Sequence, residues 1–215
     1  MSEDTSYWQD VWSRATQNVL FKLVHDVATS HTERLMNKYV VRHAEEPKSI
    51  CELGSGSGNG SMYIASKFDD IVVTLVDTNL TILESAQEAY KKRDIPLKIR
   101  NEDLFNLDDS IQYDIVHSGG LLEHFTNPVD VFNIHVNLTK KGGITFISIP
   151  RSCWYWNGFL AIMKLVKGEF VDQKNYTCNE FINVVKEAYR RNPTFKIVDF
   201  SCSGIDIVIT ARKIK

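Results

Sequence analysis

Cysteine is scarce and scattered. The four residues, Cys51, Cys153, Cys178 and Cys202, form no Cys-x-x-Cys pair. That spacing argues against a zinc site or a redox dithiol, and the expectation is four reduced thiols. No window approaches the ~18 apolar residues that a membrane span needs. Met1–Gln9 is polar and acidic, unlike a secretory leader. Positive charge is not in excess either: 25 Lys and Arg stand against 27 Asp and Glu, a formal charge of −2. A nucleic-acid partner usually leaves a clustered basic face, and none is visible. Repeats and low-complexity tracts are also missing. What remains is the expectation of a soluble, cytoplasmic protein with no membrane span. The sequence does not address oligomeric state. At 215 residues and 43% apolar content, one domain with a full core is expected.

The stretch that organises the chain is Ser49–Ser61, SICELGSGSGNGS. A short apolar run carries Glu52 and leads into Gly54, Gly56, Gly58 and Gly60. Glycine admits positive φ and lets a ligand approach bare backbone. Between a strand and a helix, such a loop cradles a nucleotide-like group.

Along the chain, Tyr7–His43 carries apolar residues at helical spacing and is expected to be helical, in one or two pieces. Residues 1–46 are therefore read as a helical cap and 47–215 as the main domain. Ser49–Leu53, Ile71–Asp77, Leu97–Arg100, Tyr113–Ser118 and Ile144–Ile149 read as strands. Helices are expected over Met62–Phe68, from Leu80 to Tyr90, and from Pro128 to Lys140 with Gly142–Gly143 as its stop. Thr177 is placed to cap a last helix bearing Phe181, Val184, Val185, Ala188 and Tyr189. Phe195–Phe200 and Ile205–Ala211 follow without a helix, and so short a link makes them antiparallel. Strand–helix alternation implies a doubly wound, mostly parallel sheet of seven strands, Rossmann-like, with an antiparallel C-terminal strand. Ligands of such sheets sit beyond the carboxyl ends of the strands.

Two ligand classes are disfavoured by spacing. Neither Gly54 nor Gly56 starts a full GxGxxG frame, and no GK is followed by Ser or Thr. What stands instead is Glu52-x-Gly54-x-Gly56-x-Gly58, with Asp77 closing the second strand and Glu102-Asp103-Leu104 after the third. Tyr113-Asp114-Ile115-Val116 and Gly120-Leu121-Leu122-Glu123-His124-Phe125 follow, and Lys141-Gly142-Gly143 precedes the fifth strand. Together these segments resemble the class I S-adenosylmethionine-dependent methyltransferases, in their small-molecule branch.

The resemblance implies S-adenosylmethionine as cofactor, with S-adenosylhomocysteine as product. It implies cofactor contacts from Glu52, Gly54, Ser55, Gly56, Gly58, Asp77, Thr78, Asp103, Leu104, Ser118 and Gly119. The chemistry agrees, because the cofactor has no phosphate and needs no basic clamp. One carboxylate can accept from both ribose hydroxyls, which suits Asp77. Asp103 suits the adenine amino group, and Gly54–Gly58 the amino-acid tail. Asp77 also admits a plainer reading, as a cap for the helix after it.

His124 is a candidate general base, or a brace for its loop. Some relatives carry Glu-x-x-Glu-His here as a metal site, but Gly120 breaks that run, so no metal is expected. His135 lies on an apolar stripe with Val131 and Leu138 and reads as structural. Trp154-Tyr155-Trp156 and Phe159–Val166 read either as core or as a wall over an apolar or ring-bearing acceptor, helped by Tyr176. Tyr7, Trp8 and Trp12 are implied by the resemblance alone to fold over the cofactor. No Ser/His/Asp or Cys/His set is needed, since a sulfonium methyl is already activated. Base-amino methylators of this fold carry Asn/Asp-Pro-Pro-aromatic where this chain reads His117-Ser118-Gly119-Gly120. The alternatives left open are an RNA or protein methyltransferase and a cofactor-binding subunit without catalysis.

Overall fold

A computed structural model describes residues 19–153 and 173–215, with side chains from residue 29 onward. Two compact units emerge, the first reaching Asp103 and the second covering Leu104–Lys215.

The first unit holds helix α1 (Val19–Tyr39), strand β1 (Ser49–Leu53), α2 (Asn59–Ala65), β2 (Val72–Asp77), α3 (Leu80–Lys91) and β3 (Leu97–Asn101). A 3-10 turn at Val41–His43 follows α1. Of the helix expected over Tyr7–His43, residues 7–18 lie outside the described residues. β2 is apolar and β-branched and β1 is short and largely apolar, as suits strands covered on both faces, and Ile50, Leu53, Val73 and Leu75 are fully buried. The strands are parallel, in register Ser49↔Val72 and Val73↔Leu97 onward. Leu83, Ala86 and Tyr90 form the buried face of α3, as their spacing requires. β3 is followed by no α-helix, only a 3-10 turn at Leu104–Asn106.

α2 begins three residues before the expected Met62 and ends at Ala65. Gly58 caps it in a left-handed conformation, so the helix starts where the glycine run ends.

The second unit holds β4 (Tyr113–Gly119), α4 (Pro128–Leu138), β5 (Thr139–Pro150), α5 (Cys178–Arg191), β6 (Phe195–Ser203) and β7 (Asp206–Lys213). β4 and β5 are parallel, and β7 is antiparallel to both β5 and β6. Its core joins Phe132, Phe181 and Phe195 to Ile149, Ile207 and Ile209. The Phe132 and Phe195 rings lie 5.3 Å apart at their centroids. Each such side chain contributes roughly 1.5–3 kcal/mol by leaving water. The strand order runs β3-β2-β1 within the first unit and β4-β5-β7-β6 within the second. The fold class is the expected one: a seven-stranded, mostly parallel α/β sheet with an antiparallel end.

Two expectations are corrected. α4 stops at Leu138 and β5 starts at Thr139, so Gly142–Gly143 do not end a helix. They lie in an irregularity of β5, where Tyr113↔Thr139 is followed by Ile115↔Ile144. The reason is local chemistry. Thr139 Oγ1 donates to His135 O at 2.7 Å and meets Thr145 Oγ1 at 2.8 Å. Lys140 Nζ reaches Asp114 Oδ2 at 2.9 Å. The second correction concerns cysteine: Cys178 and Cys202 are joined as a disulfide, their Cα atoms 6.0 Å apart. The partners are 24 residues apart, one opening α5 and one in β6, so no short motif announces them.

The cap on α5 forms as expected. Thr177 Oγ1 accepts from Glu180 N–H while the Glu180 carboxylate accepts from Thr177 N–H at 2.8 Å.

Candidate functional site

In the first unit, the loop after β1 turns sharply. Gly54, Gly56 and Gly58 all have positive φ, at 60°, 49° and 69°. Ser55 N–H donates to Val76 O at 3.0 Å and Gly58 N–H to Ser55 O at 2.8 Å, which lays the loop over the end of β2. Gly58 is also sterically required. A β-carbon there would lie 2.7 Å from Leu75 Cδ1 and 2.9 Å from the Tyr90 hydroxyl. Tyr90 OH donates to Gly58 O at 2.6 Å and pins the loop to α3.

Asp77 ends β2 with its carboxylate turned to this loop. Oδ2 accepts from Gly56 N–H and Oδ1 from Asn79 N–H, each at 2.9 Å. The cap reading of Asp77 is replaced, because the α3 cap is Asn79, whose Oδ1 accepts from Ile82 N–H at 3.3 Å. Each Asp77 oxygen keeps a second lone pair, and the residue is half-buried, so two hydroxyls of a ligand can still be accepted. Gly54 and Thr78 are exposed beside it, and Asp103 is exposed after β3. Ser55 Oγ is buried without a hydrogen-bond partner. An open backbone cradle, a carboxylate with spare acceptors and an unsatisfied hydroxyl fit a cofactor that carries a ribose and an amino-acid tail.

Glu52 takes a different position from its neighbours. It is buried, and Oε2 accepts from Ser61 N–H at 3.1 Å in the first turn of α2. Burial lifts its pKa to about 7, against hydrogen bonds from Ser61, with the charge of Asp77 adding to the rise. Its observed contact is thus with the start of α2.

In the second unit, Leu104 is buried in the 3-10 turn and Gly119 is exposed at the end of β4. Ser118 is fully buried, its Oγ 2.9 Å from His135 Nε2. His135 Nδ1 donates to Val131 O at 2.8 Å, leaving Nε2 to accept from Ser118, so its role is structural. Burial lowers the pKa of His117 to about 3, with help from His135, and that of His135 to about 4. His124 is half-buried in a 3-10 turn, Leu122–His124, with its N–H on Leu121 O at 3.1 Å.

Glu123, beside it, is 3% exposed, and burial lifts its pKa to about 8. Its Oε2 has no hydrogen-bond partner, and neither has the hydroxyl of buried Tyr176. Periodicity gives no sign of either, because both lie in irregular segments. Among the described residues no three His, Cys, Asp or Glu side chains gather as a metal site. The calls on Tyr7, Trp8, Trp12, Trp154-Tyr155-Trp156 and Phe159–Val166 lie outside the described residues.

Comparison with known proteins places this geometry. Over 111 residues, 48% of this chain, it is 27% identical to the ribosomal RNA small subunit methyltransferase C of Buchnera aphidicola subsp. Baizongia pistaciae. The chain spans about a third of that relative's length, 34%. The magnesium protoporphyrin IX methyltransferase of Synechocystis PCC 6803, solved with S-adenosylhomocysteine, is 16% identical with a TM-score of 0.72, over 97% of this chain and 95% of that one. An S-adenosylmethionine-dependent methyltransferase from Clostridium acetobutylicum is 13% identical with a TM-score of 0.63, over 86% and 91%. At these identities the structural likeness establishes the fold. No helix among the described residues is long and apolar enough to cross a membrane. A family model for a methyltransferase domain matches residues 51–145, from β1 into β5, and that match, the fold and the Gly54–Gly58 loop support a class I S-adenosylmethionine-dependent methyltransferase.

Proposed function

We propose that this protein transfers a methyl group from S-adenosylmethionine to a small, apolar or ring-bearing acceptor. The observation that carries the cofactor half is the half-buried Asp77 carboxylate holding Gly56 N–H at 2.9 Å with acceptor capacity to spare. In this reading Asp77 takes the ribose hydroxyls, while Gly54, Ser55, Gly56 and Gly58 face the amino-acid tail. Thr78 and Asp103 are assigned to the adenosine end, Glu52 to the cofactor loop it precedes, and Leu104, Ser118 and Gly119 are kept as cofactor contacts. The cofactor supplies an activated methyl on a sulfonium. The chain's own part is to bind, orient and exclude water. His124 serves as proton acceptor or loop brace, and residues 1–46 as a helical cap on the domain at 47–215.

The small-acceptor half is supported by the near-full-length likeness to a porphyrin methyltransferase and by a net charge of −2. The cytoplasm expected from the sequence is kept in this proposal, and the Cys178–Cys202 disulfide is the observation against it. Calorimetry with S-adenosylhomocysteine tests the reading, and the absence of binding would end it. A coupled assay for S-adenosylhomocysteine release over a panel of small acceptors then identifies the substrate.

The 27% identity to a ribosomal RNA methyltransferase favours a second reading, RNA as acceptor. It expects RNA binding whose affinity falls steeply with salt. The small-acceptor reading expects none.

A further inference from the structure

We infer that Glu123 and Tyr176 form a two-donor site for the weakly acidic oxygen of a phenol or enol acceptor, which they bind as the oxyanion. This rests on the methyltransferase reading and names the acceptor chemistry that reading left open.

The geometry is specific. Glu123 and Tyr176 are 3% and 1% exposed, and Glu123 Oε2 and the Tyr176 hydroxyl are both buried without a hydrogen-bond partner. An unmade bond of this kind costs about 1–3 kcal/mol each, so two such groups together call for a ligand. They belong to one place. Lys174 N–H donates to Glu123 O at 2.9 Å and Ser152 N–H to Tyr176 O at 2.8 Å, so the strand-like segment around Tyr176 is bound beside the carboxyl ends of β4 and β5. Burial raises the pKa of the Tyr176 hydroxyl, and the Glu123 and Glu180 carboxyls, once ionised, add to the rise.

Access lies over bare backbone. Gly119 and Gly120 are exposed, and nothing comes within 4 Å of a β-carbon built on Gly119. A β-carbon on Gly120 would stand 3.5 Å from Glu123 Oε1. The glycine pair is therefore the open backbone next to the carboxyl, with Oε1 beside it and Oε2 buried behind.

The protonation states fix the role. Burial holds Glu123 mostly protonated at neutral pH, with a pKa of about 8. A neutral carboxyl donates, as does a phenol, and two neutral donors favour an ionised oxygen between them. A bound phenol then loses its proton to solvent, and no separate base is needed.

The probe is 4-nitrophenol, whose ionised form absorbs visible light. Bound to the full chain, with and without S-adenosylhomocysteine, it is expected to stay ionised at a pH where the free compound is protonated. Tyr176→Phe is expected to weaken phenolate binding about tenfold, the loss of one charge-assisted hydrogen bond. Its melting temperature is expected to hold or rise, since an unsatisfied hydroxyl leaves the core. Glu123→Gln, which keeps a neutral donor, is expected to bind far better than Glu123→Leu. An unshifted nitrophenol titration, undiminished binding by Tyr176→Phe, or Glu123→Gln failing like Glu123→Leu would overturn the proposal. Benzoate binding as tightly as nitrophenolate would overturn the phenolate assignment. Calorimetry with S-adenosylhomocysteine on the same samples separates the two claims: cofactor binding without a nitrophenol shift removes only this one.

Discussion

The Asp77 carboxylate and the Gly56 amide are 2.9 Å apart across the strand–helix turns that follow β1 and β2. This one bond links the glycine loop to the residue assigned to the ribose. Cofactor affinity and loop order are thereby coupled in a single side chain.

Asp77→Ala is therefore expected to weaken S-adenosylhomocysteine binding by about 10- to 100-fold, the worth of hydrogen bonds to a charged group. Calorimetry reads the affinity, and far-UV circular dichroism checks that the fold survives. Undiminished affinity would remove Asp77 from the cofactor site.

Gly58→Ala addresses packing rather than binding. It combines a left-handed φ of 69° with a β-carbon 2.7 Å from Leu75. The expected cost is about 2–4 kcal/mol, from the disfavoured conformation and the overpacking. Gly119→Ala, with open space around it, is the control and is expected to stay near the wild type in urea denaturation.

Stability is expected to peak in mildly acidic solution. Glu52 and Glu123 have folded pKa values raised to about 7 and about 8, above the ordinary 4.5. The folded state thus holds protons that the unfolded state releases, and stability falls as pH rises from 4.5 through those values. His117 and His135, lowered from 6.5 to about 3 and about 4, act oppositely, and their contribution is lost as pH falls below 6.5. Chemical denaturation across this range checks the shape. Glu123→Gln is expected to flatten the alkaline side.

The disulfide is open to a direct count. Denatured, unreduced protein is expected to show two reactive thiols, those of Cys51 and Cys153, and reduced protein four. Reduction is expected to cost about 3 kcal/mol, given a closed loop of this length. Four thiols before reduction would restore the reading from sequence.

Much of this molecule could be read from its residues. The short apolar run at Ser49–Leu53, the β-branched run at Val72–Asp77 and the Thr177 cap reached their places because local chemistry decides them. The start of β5 was illegible, since Gly142–Gly143 carry a helix-stop signature that the Lys140–Asp114 ion pair and the Thr139 hydroxyl override. Glu123 stood out only as the neighbour of His124, because burial in an irregular turn leaves no periodic trace. Asn79 was hidden by Asp77, two residues earlier, which offers an equally good capping group.

The junction of α4 and β5 has no loop in it: Leu138 closes the helix and Thr139 opens the strand. Length variation is therefore unequal on the two sides of Lys140. One residue added between Leu138 and Thr139 would turn every later side chain of β5 to the opposite face. One added beside Gly142, whose surroundings are open and whose φ is already 84°, would be absorbed in the bulge. Insertions in this part of the chain have one permitted address.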